Sequence, residues 1–212
     1  MTYHVGVKVF FFVGQKNTID REINQENYTT YTEDGELTKT SGSLLVGDII
    51  KIEPDQRVPA DIVILHCNDK NSRVYIKTDQ LDGETDLKLR KPLEYTQKMM
   101  SKGGLSRQIF RKNLEFVVDK PNEVIYKFDG SMHEIDNREN IIYREPISLE
   151  NTIWTNCSAS NVEIYGLVIY TFKDTKIVIG NKPAHQKITK VEEEVNYLSK
   201  MLFWIMVIMS GF

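Results

Sequence analysis

The sequence predicts a mainly β domain with helical ends, and three observations predict it. Short segments rich in β-branched and aromatic residues recur, among them "DIIKIE", "ADIVILHC", "RVYIKTDQL" and "EIYGLVIYTF". Gly, Asn and Asp turn signals fall between them, including the pairs Asp34-Gly35 and Asp82-Gly83. Near the end, Ile188, Val191, Val195, Leu198 and Leu202 recur at helical spacing instead. Many short strands joined by turns imply a barrel-like or jelly-roll architecture.

In chain order, "MTYHVGVKVFFFVG" holds a short apolar run broken by Lys8. It lacks a basic n-region and a small-residue cleavage site, so a buried strand is expected there and not a signal peptide. "TIDREINQENY" is charged and free of Gly and Pro, which suits a linking helix. "YTTYTEDGELTKT" is a hairpin pattern, followed by the strands "DIIKIE", "ADIVILHC", "RVYIKTDQL" and "TDLKLR". From Lys91 to Glu150 the chain is more polar, with Gly103-Gly104, Pro121-Asn122 and Pro146 as breakers around the strand-like "EFVVD" and "VIYKFDG". That segment is expected to be an insertion forming a peripheral lobe. Thr189 with Glu192 makes a capping box, and the helix it starts runs into the uncharged stretch Met201 to Phe212. A spanning helix needs roughly 20 apolar residues. An apolar surface of this kind aggregates when left exposed, so the start of a membrane helix is expected. The expected organisation is an N-terminal segment and linker over 1–27, a β core over 28–90 and 151–187 interrupted by the 91–150 insertion, and the amphipathic helix with its apolar extension over 188–212.

With 27 basic and 30 acidic residues the net charge is −3, and the only block of one sign is Glu192-Glu193-Glu194. Nothing favours a nucleic-acid partner. Cys67 and Cys157 form no C-x-x-C pair, which suits a reducing compartment and gives no support for a disulfide. His4, His66, His133 and His185 are scattered without ligand spacing, and no phosphate loop, zinc helix or nucleophile elbow occurs. The triplets Asn27-Tyr28-Thr29 and Asn156-Cys157-Ser158 have the form of glycosylation sites but arise often by chance.

The chemistry-bearing stretch is "TDQLDGETDLKLR", Thr78 to Arg90. Asp79, Asp82, Glu84 and Asp86 crowd four carboxylates into eight residues. A calcium loop fails, because aligning Gly83 with the EF-hand glycine puts Thr78 and Leu89 where carboxylates are required. Asp34-Gly35-Glu36 repeats the Asp-Gly-Glu tripeptide in an ordinary hairpin context, so the tripeptide by itself is weak. Two readings remain from the residues alone. The turn either only reverses the chain, or it presents Glu84 rigidly, with Thr85 as a hydroxyl partner, to orient and deprotonate a water. The second reading needs an electrophile that no motif of this chain supplies.

These residues resemble the P-type ATPases, specifically their lipid-flippase branch, the fourth subclass. "VGDIIKIEPDQRVPADIVIL" is similar to that family's V-G-D and P-A-D strands, and "TDQLDGETDLKLR" to the flippase form of its dephosphorylation loop, where ion pumps carry T-G-E-S. "LENTIWTNCSASNVEIYGLVIYTFKDTK" resembles the segment that closes the same domain. The resemblance runs from about Thr18 to the C-terminus. It implies an actuator domain, a distorted jelly roll between membrane helices, with 91–150 as the insertion of flippase actuators, typified by "PNEVIYKFDG".

By the same resemblance, Glu84 positions the water that attacks a phospho-aspartate of a separate domain, Asp82 and Gly83 shape the loop, and Thr85 supports it. Domain rotation couples phosphate loss to lipid movement between leaflets. Mg2+ and ATP belong to phosphorylation and nucleotide domains of the same polypeptide, and the phospholipid binds elsewhere. The D-K-T-G-T phosphorylation motif is absent, so this chain by itself is expected to be inactive. The flanks of the loop are most similar to flippases of Golgi and endosomal membranes that need no accessory subunit, which places the domain on a cytosolic membrane face. Where the family has A-S-G and Y-T-G-K, this chain has Ala159-Ser160-Asn161 and Tyr170-Thr171-Phe172-Lys173. Phe172 does not readily take a left-handed turn, so a different shape is expected there. The alternative is a non-catalytic β-rich module that binds a protein partner.

Overall fold

A computed structural model of the chain describes residues 25–32, 35–101, 109, 113–136, 140–160, 162–180 and 190–210. They fall into two units, one up to Gly180 and one beyond it. The expected strand at Met1 to Gly14, most of the expected linking helix, Gly103-Gly104, Asn161 and Thr189 lie outside the described residues.

The first unit is mainly β, as expected. Its strands are β1 (Asn27–Thr32), β2 (Gly35–Thr40), β3 (Ile49–Ile52), β4 (Asp61–Cys67), β5 (Val74–Lys77), β6 (Lys88–Arg90), β7 (Leu114–Val118), β8 (Asp129–Ile135), β9 (Ile141–Ser148), β10 (Thr152–Ile153), β11 (Ser158–Ser160) and β12 (Ile164–Tyr170). The helices are α1 (Asp79–Asp82), α2 (Glu94–Ser101) and α3 (Lys176–Gly180). Six strands form one antiparallel sheet in the order β10-β4-β12-β3-β1-β2, and two three-stranded sheets follow the orders β11-β5-β6 and β7-β8-β9.

Position in the sheet explains the sequence pattern. Every residue of β4 and of β12 is buried, which is why "DIVILHC" and "IYGLVIY" read as nearly unbroken apolar runs. Gly166 of β12 lies against Ile62 of β4, where a Cβ would come within 2.5 Å of the Ile62 Cδ1. Glycine is the residue that fits there. In β5 burial alternates: Val74 and Ile76 face inward, Tyr75 and Lys77 outward. The β1–β2 hairpin forms as expected, with Thr32 opposite Gly35. The same strand ends the expected linking helix early, because Tyr28 and Thr30 are buried on the alternating face of β1.

The Lys91 to Glu150 segment departs from the expected peripheral lobe. It carries its own sheet, β7-β8-β9, and helix α2 against β4. Leu93, Met100, Phe128, Met132 and Ile147 join the single buried cluster that holds Ile50, Ile62 and Val168. Thr96 of α2 donates to the Leu65 carbonyl at 2.6 Å, tying the helix to β4. Some of its polar residues are buried with that layer, among them Thr96, Ser131, His133 and Glu134.

Two buried charged residues organise the connections. Asp61, fully buried at the start of β4, accepts backbone N–H groups of Thr155 and Lys176, each at 2.8 Å. Burial pushes its carboxyl up to about 6, against the hydrogen bonds, which pull it down. Lys176 is buried as well, and its ammonium donates to the Val124 carbonyl at 2.7 Å, the Asn122 side chain at 2.8 Å and the Lys127 carbonyl at 3.3 Å. It sits 5.0 Å from the centre of the Trp154 ring, and burial lowers its pKa. Trp154 Nε1 donates to the Ile125 carbonyl at 3.0 Å, and the Tyr170 hydroxyl donates to the Asp119 carbonyl. The loop from Asp119 to Phe128 is thereby fastened to the core. "VIYKFDG", expected as a strand, is instead a loop whose strand begins only at Asp129, because its carbonyls are taken by Lys176 and Trp154. Cys67 and Cys157 are buried free thiols.

Phe172 adopts φ +48°, the left-handed conformation it was not expected to take readily, and it opens a single 3-10 turn, Phe172–Asp174. The backbone keeps a geometry that glycine takes freely, and the phenyl ring remains more than half exposed. An L-residue there costs about 1–2 kcal/mol, partly offset by the roughly 0.5–1 kcal/mol of chain entropy that glycine loses on folding. Phe172→Gly is expected to raise stability by several tenths of a kcal/mol, up to about 1, read as a higher midpoint in urea unfolding. A lower midpoint would mean that the ring contributes packing that its exposure does not show.

The second unit is α4 (Lys190–Ser210), a 21-residue helix. Val191, Val195, Leu198 and Leu202 of the expected helical run lie on it, Ile188 being outside the described residues, and its apolar residues from Val195 to Met209, with Trp204 among them, are exposed. No helix among the described residues is long and apolar enough to cross a membrane.

Candidate functional site

The stretch Thr78 to Lys88 hangs from the sheet β11-β5-β6. β5 and β6 pair antiparallel with Val74 opposite Arg90 and Ile76 opposite Lys88, and β11 flanks β5 on the other side. Arg90 Nε donates to the Thr152 carbonyl at 3.1 Å, which ties the end of β6 to β10 of the six-stranded sheet. Both legs of the loop are thus anchored, and the second is held by two sheets.

The loop is not the sharp hairpin turn expected. After β5 the chain winds into the single helical turn α1, with Leu81 and Asp82 N–H bonded to the Thr78 carbonyl at 2.8 and 3.0 Å. Gly83 closes it at φ +75° and donates to the Asp79 carbonyl at 3.1 Å. The left-handed residue that ends a helix is most often glycine, because no Cβ opposes that backbone. Asp-Gly therefore caps a helix here, whereas Gly35 opens a strand at the control hairpin.

Within this frame the two acidic candidates differ. The Asp82 side chain is nearly buried, at 4 % exposure, and both its oxygens are taken. Oδ1 accepts the Thr78 hydroxyl at 2.9 Å and the Glu84 N–H at 3.1 Å; Oδ2 is bound by the Lys88 ammonium. Burial pushes the Asp82 carboxyl up, but these hydrogen bonds outweigh it and hold it below the ordinary carboxylate range. Glu84 is the opposite case. Its side chain is 55 % exposed, with Oε2 2.8 Å from Lys88 Nζ. Asp82 is a fastening, and Glu84 is the carboxylate offered outward. Lys88 has its pKa raised by the hydrogen bonds to Asp82 and Glu84.

Of the four residues expected at the site, the structure brings Asp82, Gly83 and Glu84 into one network. Thr85 is exposed and stands outside it; the hydroxyl that holds the acidic turn is Thr78. Sequence reasoning missed Thr78, Lys88 and Tyr126. Nearness in sequence to four carboxylates was the one sign for Lys88. Tyr126 had none, since it arrives from the Asp119 to Phe128 loop and places its ring 5.6 Å from Lys88 Nζ. Beside this cluster lies a recess of about 390 Å3, bordered by Leu81, Leu89, Ile125, Tyr126 and Trp154. Its walls are apolar, with Thr78, Asp82, Lys88 and Arg90 as the polar residues that line it.

Comparison with known proteins places the sequence in a family. Residues 22–125 match the family model of the P-type ATPase actuator domain. Over 193 residues the chain is 35 % identical to the probable phospholipid-transporting ATPase tat-5 of Caenorhabditis elegans, covering 91 % of this chain and 17 % of that protein. It is 35 % identical over 191 residues to the human probable phospholipid-transporting ATPase IIB, covering 90 % of this chain and 16 % of the relative. The phospholipid-transporting ATPase NEO1 of Saccharomyces cerevisiae is 35 % identical over 189 residues, covering 89 % and 15 %. The chain thus spans about a sixth of the length of these relatives. With the matched region spanning β1 to β7 and including the acidic loop, the chain belongs to the P-type ATPases, and its β domain is their actuator domain.

Proposed function

We propose that this actuator serves an ATP-driven phospholipid translocase, and that its acidic loop dephosphorylates a phospho-aspartate carried by another domain of the same polypeptide. The observation that carries the reading is the division of labour in the loop. Asp82 is saturated by hydrogen bonds, while Glu84 is exposed, ionically held and mounted between two anchored strands. A carboxylate so placed can accept a hydrogen bond from a water and take its proton as the water attacks phosphorus. Gly83 sets the turn that aims Glu84, and exposed Thr85 is left to meet the docked phosphorylation domain. The names of the relatives favour phospholipid as the cargo over the alternative of a passive binding module.

Around this core we place the remaining parts. Domain rotation pulls on the flanking segments and so couples phosphate loss to lipid movement between leaflets. The 91–150 segment is the flippase-type insertion, and α4 leads into a membrane helix that holds the domain at the cytosolic face, in Golgi or endosomal membranes. Among the described residues no three His, Cys, Asp or Glu side chains are grouped to hold a metal ion. Mg2+ and ATP are assigned to the phosphorylation and nucleotide domains, and no step assigned to this domain runs through either.

The test uses the full-length polypeptide in detergent with labelled ATP. An acid-stable, hydroxylamine-sensitive phosphoenzyme is expected, and its loss should quicken when aminophospholipid or phosphatidylcholine micelles are added. Absence of an acyl phosphate, or acceleration by Na+, K+ or Ca2+ in place of lipid, would overturn the assignment.

A further inference from the structure

We propose that Lys88 is a positioning residue for Glu84, with the Tyr126 ring as its backstop, which makes the Asp119 to Phe128 loop part of the dephosphorylation site. The proposal rests on the reading of Glu84 as the group that orients water. An exposed glutamate has three rotatable side-chain bonds and, left to itself, spreads over many rotamers. Productive water attack needs the carboxylate held to within about half an ångström. Lys88 supplies the tether. Its backbone is fixed in β6 opposite Ile76, and its ammonium holds the Glu84 Oε2 at 2.8 Å while also binding the Asp82 Oδ2. One Glu84 oxygen is engaged and the other is left for a water.

A lysine is itself flexible, so the ammonium needs its own support. Asp82 provides one side, pinned by the Thr78 hydroxyl and the Glu84 N–H. The Tyr126 ring provides another, 5.6 Å from Nζ, within the range of a cation–π attraction. Tyr126 is 62 % exposed, so burial of its ring does not account for its position. The loop that presents it is fastened by Lys176 to Val124 and Lys127 and by Trp154 to Ile125. The buried Lys176 contact thus reaches the site through the neighbours of Tyr126. The order of support runs from Lys176 and Trp154 to Tyr126, then to Lys88, and last to Glu84.

The experiment compares Lys88→Met, Lys88→Arg, Tyr126→Ala and Tyr126→Phe in the full-length enzyme, each alone and with Glu84→Gln, by following phosphoenzyme formation and decay. Formation is expected to be unchanged. Lys88→Met should slow decay about 10- to 100-fold, the range for losing a charge-assisted hydrogen bond, and Lys88→Arg should recover most of it. Tyr126→Ala should slow decay about two- to fivefold and Tyr126→Phe should not. With Glu84→Gln in place, none should slow decay further, because Lys88 acts through Glu84. Normal decay in Lys88→Met beside slow decay in Glu84→Gln overturns the proposal and leaves the Glu84 reading standing. Equal further slowing on top of Glu84→Gln also overturns it, since a general loosening of the loop does that. Normal decay in Glu84→Gln removes both readings. Should Lys88→Met fail to form phosphoenzyme at all, the tyrosine pair decides, because neither variant touches Asp82; identical decay in Tyr126→Ala and Tyr126→Phe rejects the backstop.

Discussion

Glu84→Gln in the full-length enzyme is expected to leave phosphorylation by ATP intact and to slow the decay of the phosphoenzyme by about 10²–10⁴-fold, the range for loss of a positioned base. The substitution keeps the size and shape of the side chain, so the loop docks as before. It removes the negative charge, so the attacking water loses its proton acceptor and the ionic hold of Lys88 is reduced to a neutral hydrogen bond. The effect should be confined to this loop. Glu36 follows an identical Asp-Gly pair but lies on β2, opposite Tyr31, in an exposed edge strand. Glu36→Gln is expected to leave the decay rate unchanged.

The second large effect concerns stability. Asp61→Ala is expected to cost about 3–5 kcal/mol, because two buried N–H groups, those of Thr155 and Lys176, lose their acceptor at once. The pH dependence is specific. The Asp61 carboxyl titrates at about 6 in the folded domain, against 3.8 for an ordinary aspartate, so the folded state binds a proton more tightly than the unfolded chain. Protonation therefore adds stability fully below about pH 3.8 and adds none above about 6. At roughly 1.36 kcal/mol per pKa unit the change across that window is about 3 kcal/mol. The amide introduced by Asp61→Asn has no proton to lose or gain in this range. The stability advantage of the parent over Asp61→Asn should accordingly shrink by about that amount from about pH 4 to about pH 7 in paired urea titrations. An advantage that grows with pH would mean that the hydrogen bonds outweigh burial at Asp61.

The parts of this fold that were legible are those where burial dictates composition. β4 and β12 are apolar nearly throughout because both of their faces are covered, and the β1–β2 hairpin is marked by alternation around Asp-Gly. What escaped were features in which one local signal has two structural meanings. Asp82-Gly83 asks only for a positive φ at glycine, which a hairpin turn and a helix end satisfy equally; α1 is four residues long and too short to show periodicity. "VIYKFDG" has strand composition, yet its carbonyls are claimed by Lys176 and Trp154, residues about 30 to 50 positions away. The Lys91 to Glu150 segment looked peripheral because its polar residues outnumber the few, such as Phe128, Met132 and Ile147, that anchor it.

At the candidate site the sequence separated Glu84 from the Glu36 turn only through its family resemblance. The geometry adds an independent reason, since Asp82 is buried and fully bonded while Glu84 is held and exposed. Thr78 and Lys88 were in plain view within the stretch Thr78 to Arg90, but nothing there marked them as partners of Asp82. Their roles depend on the helical turn that brings Asp82 between them.

Rapid-quench measurement of phosphoenzyme decay in Glu84→Gln and Glu36→Gln, side by side in the full-length enzyme, tests the central claim most directly. The account predicts that both variants phosphorylate normally, that the Glu84 variant then holds its phosphate about a hundredfold longer or more, and that the Glu36 variant decays like the parent. Normal decay in Glu84→Gln, or equal slowing in the two, would contradict it and leave the acidic loop a connection between strands.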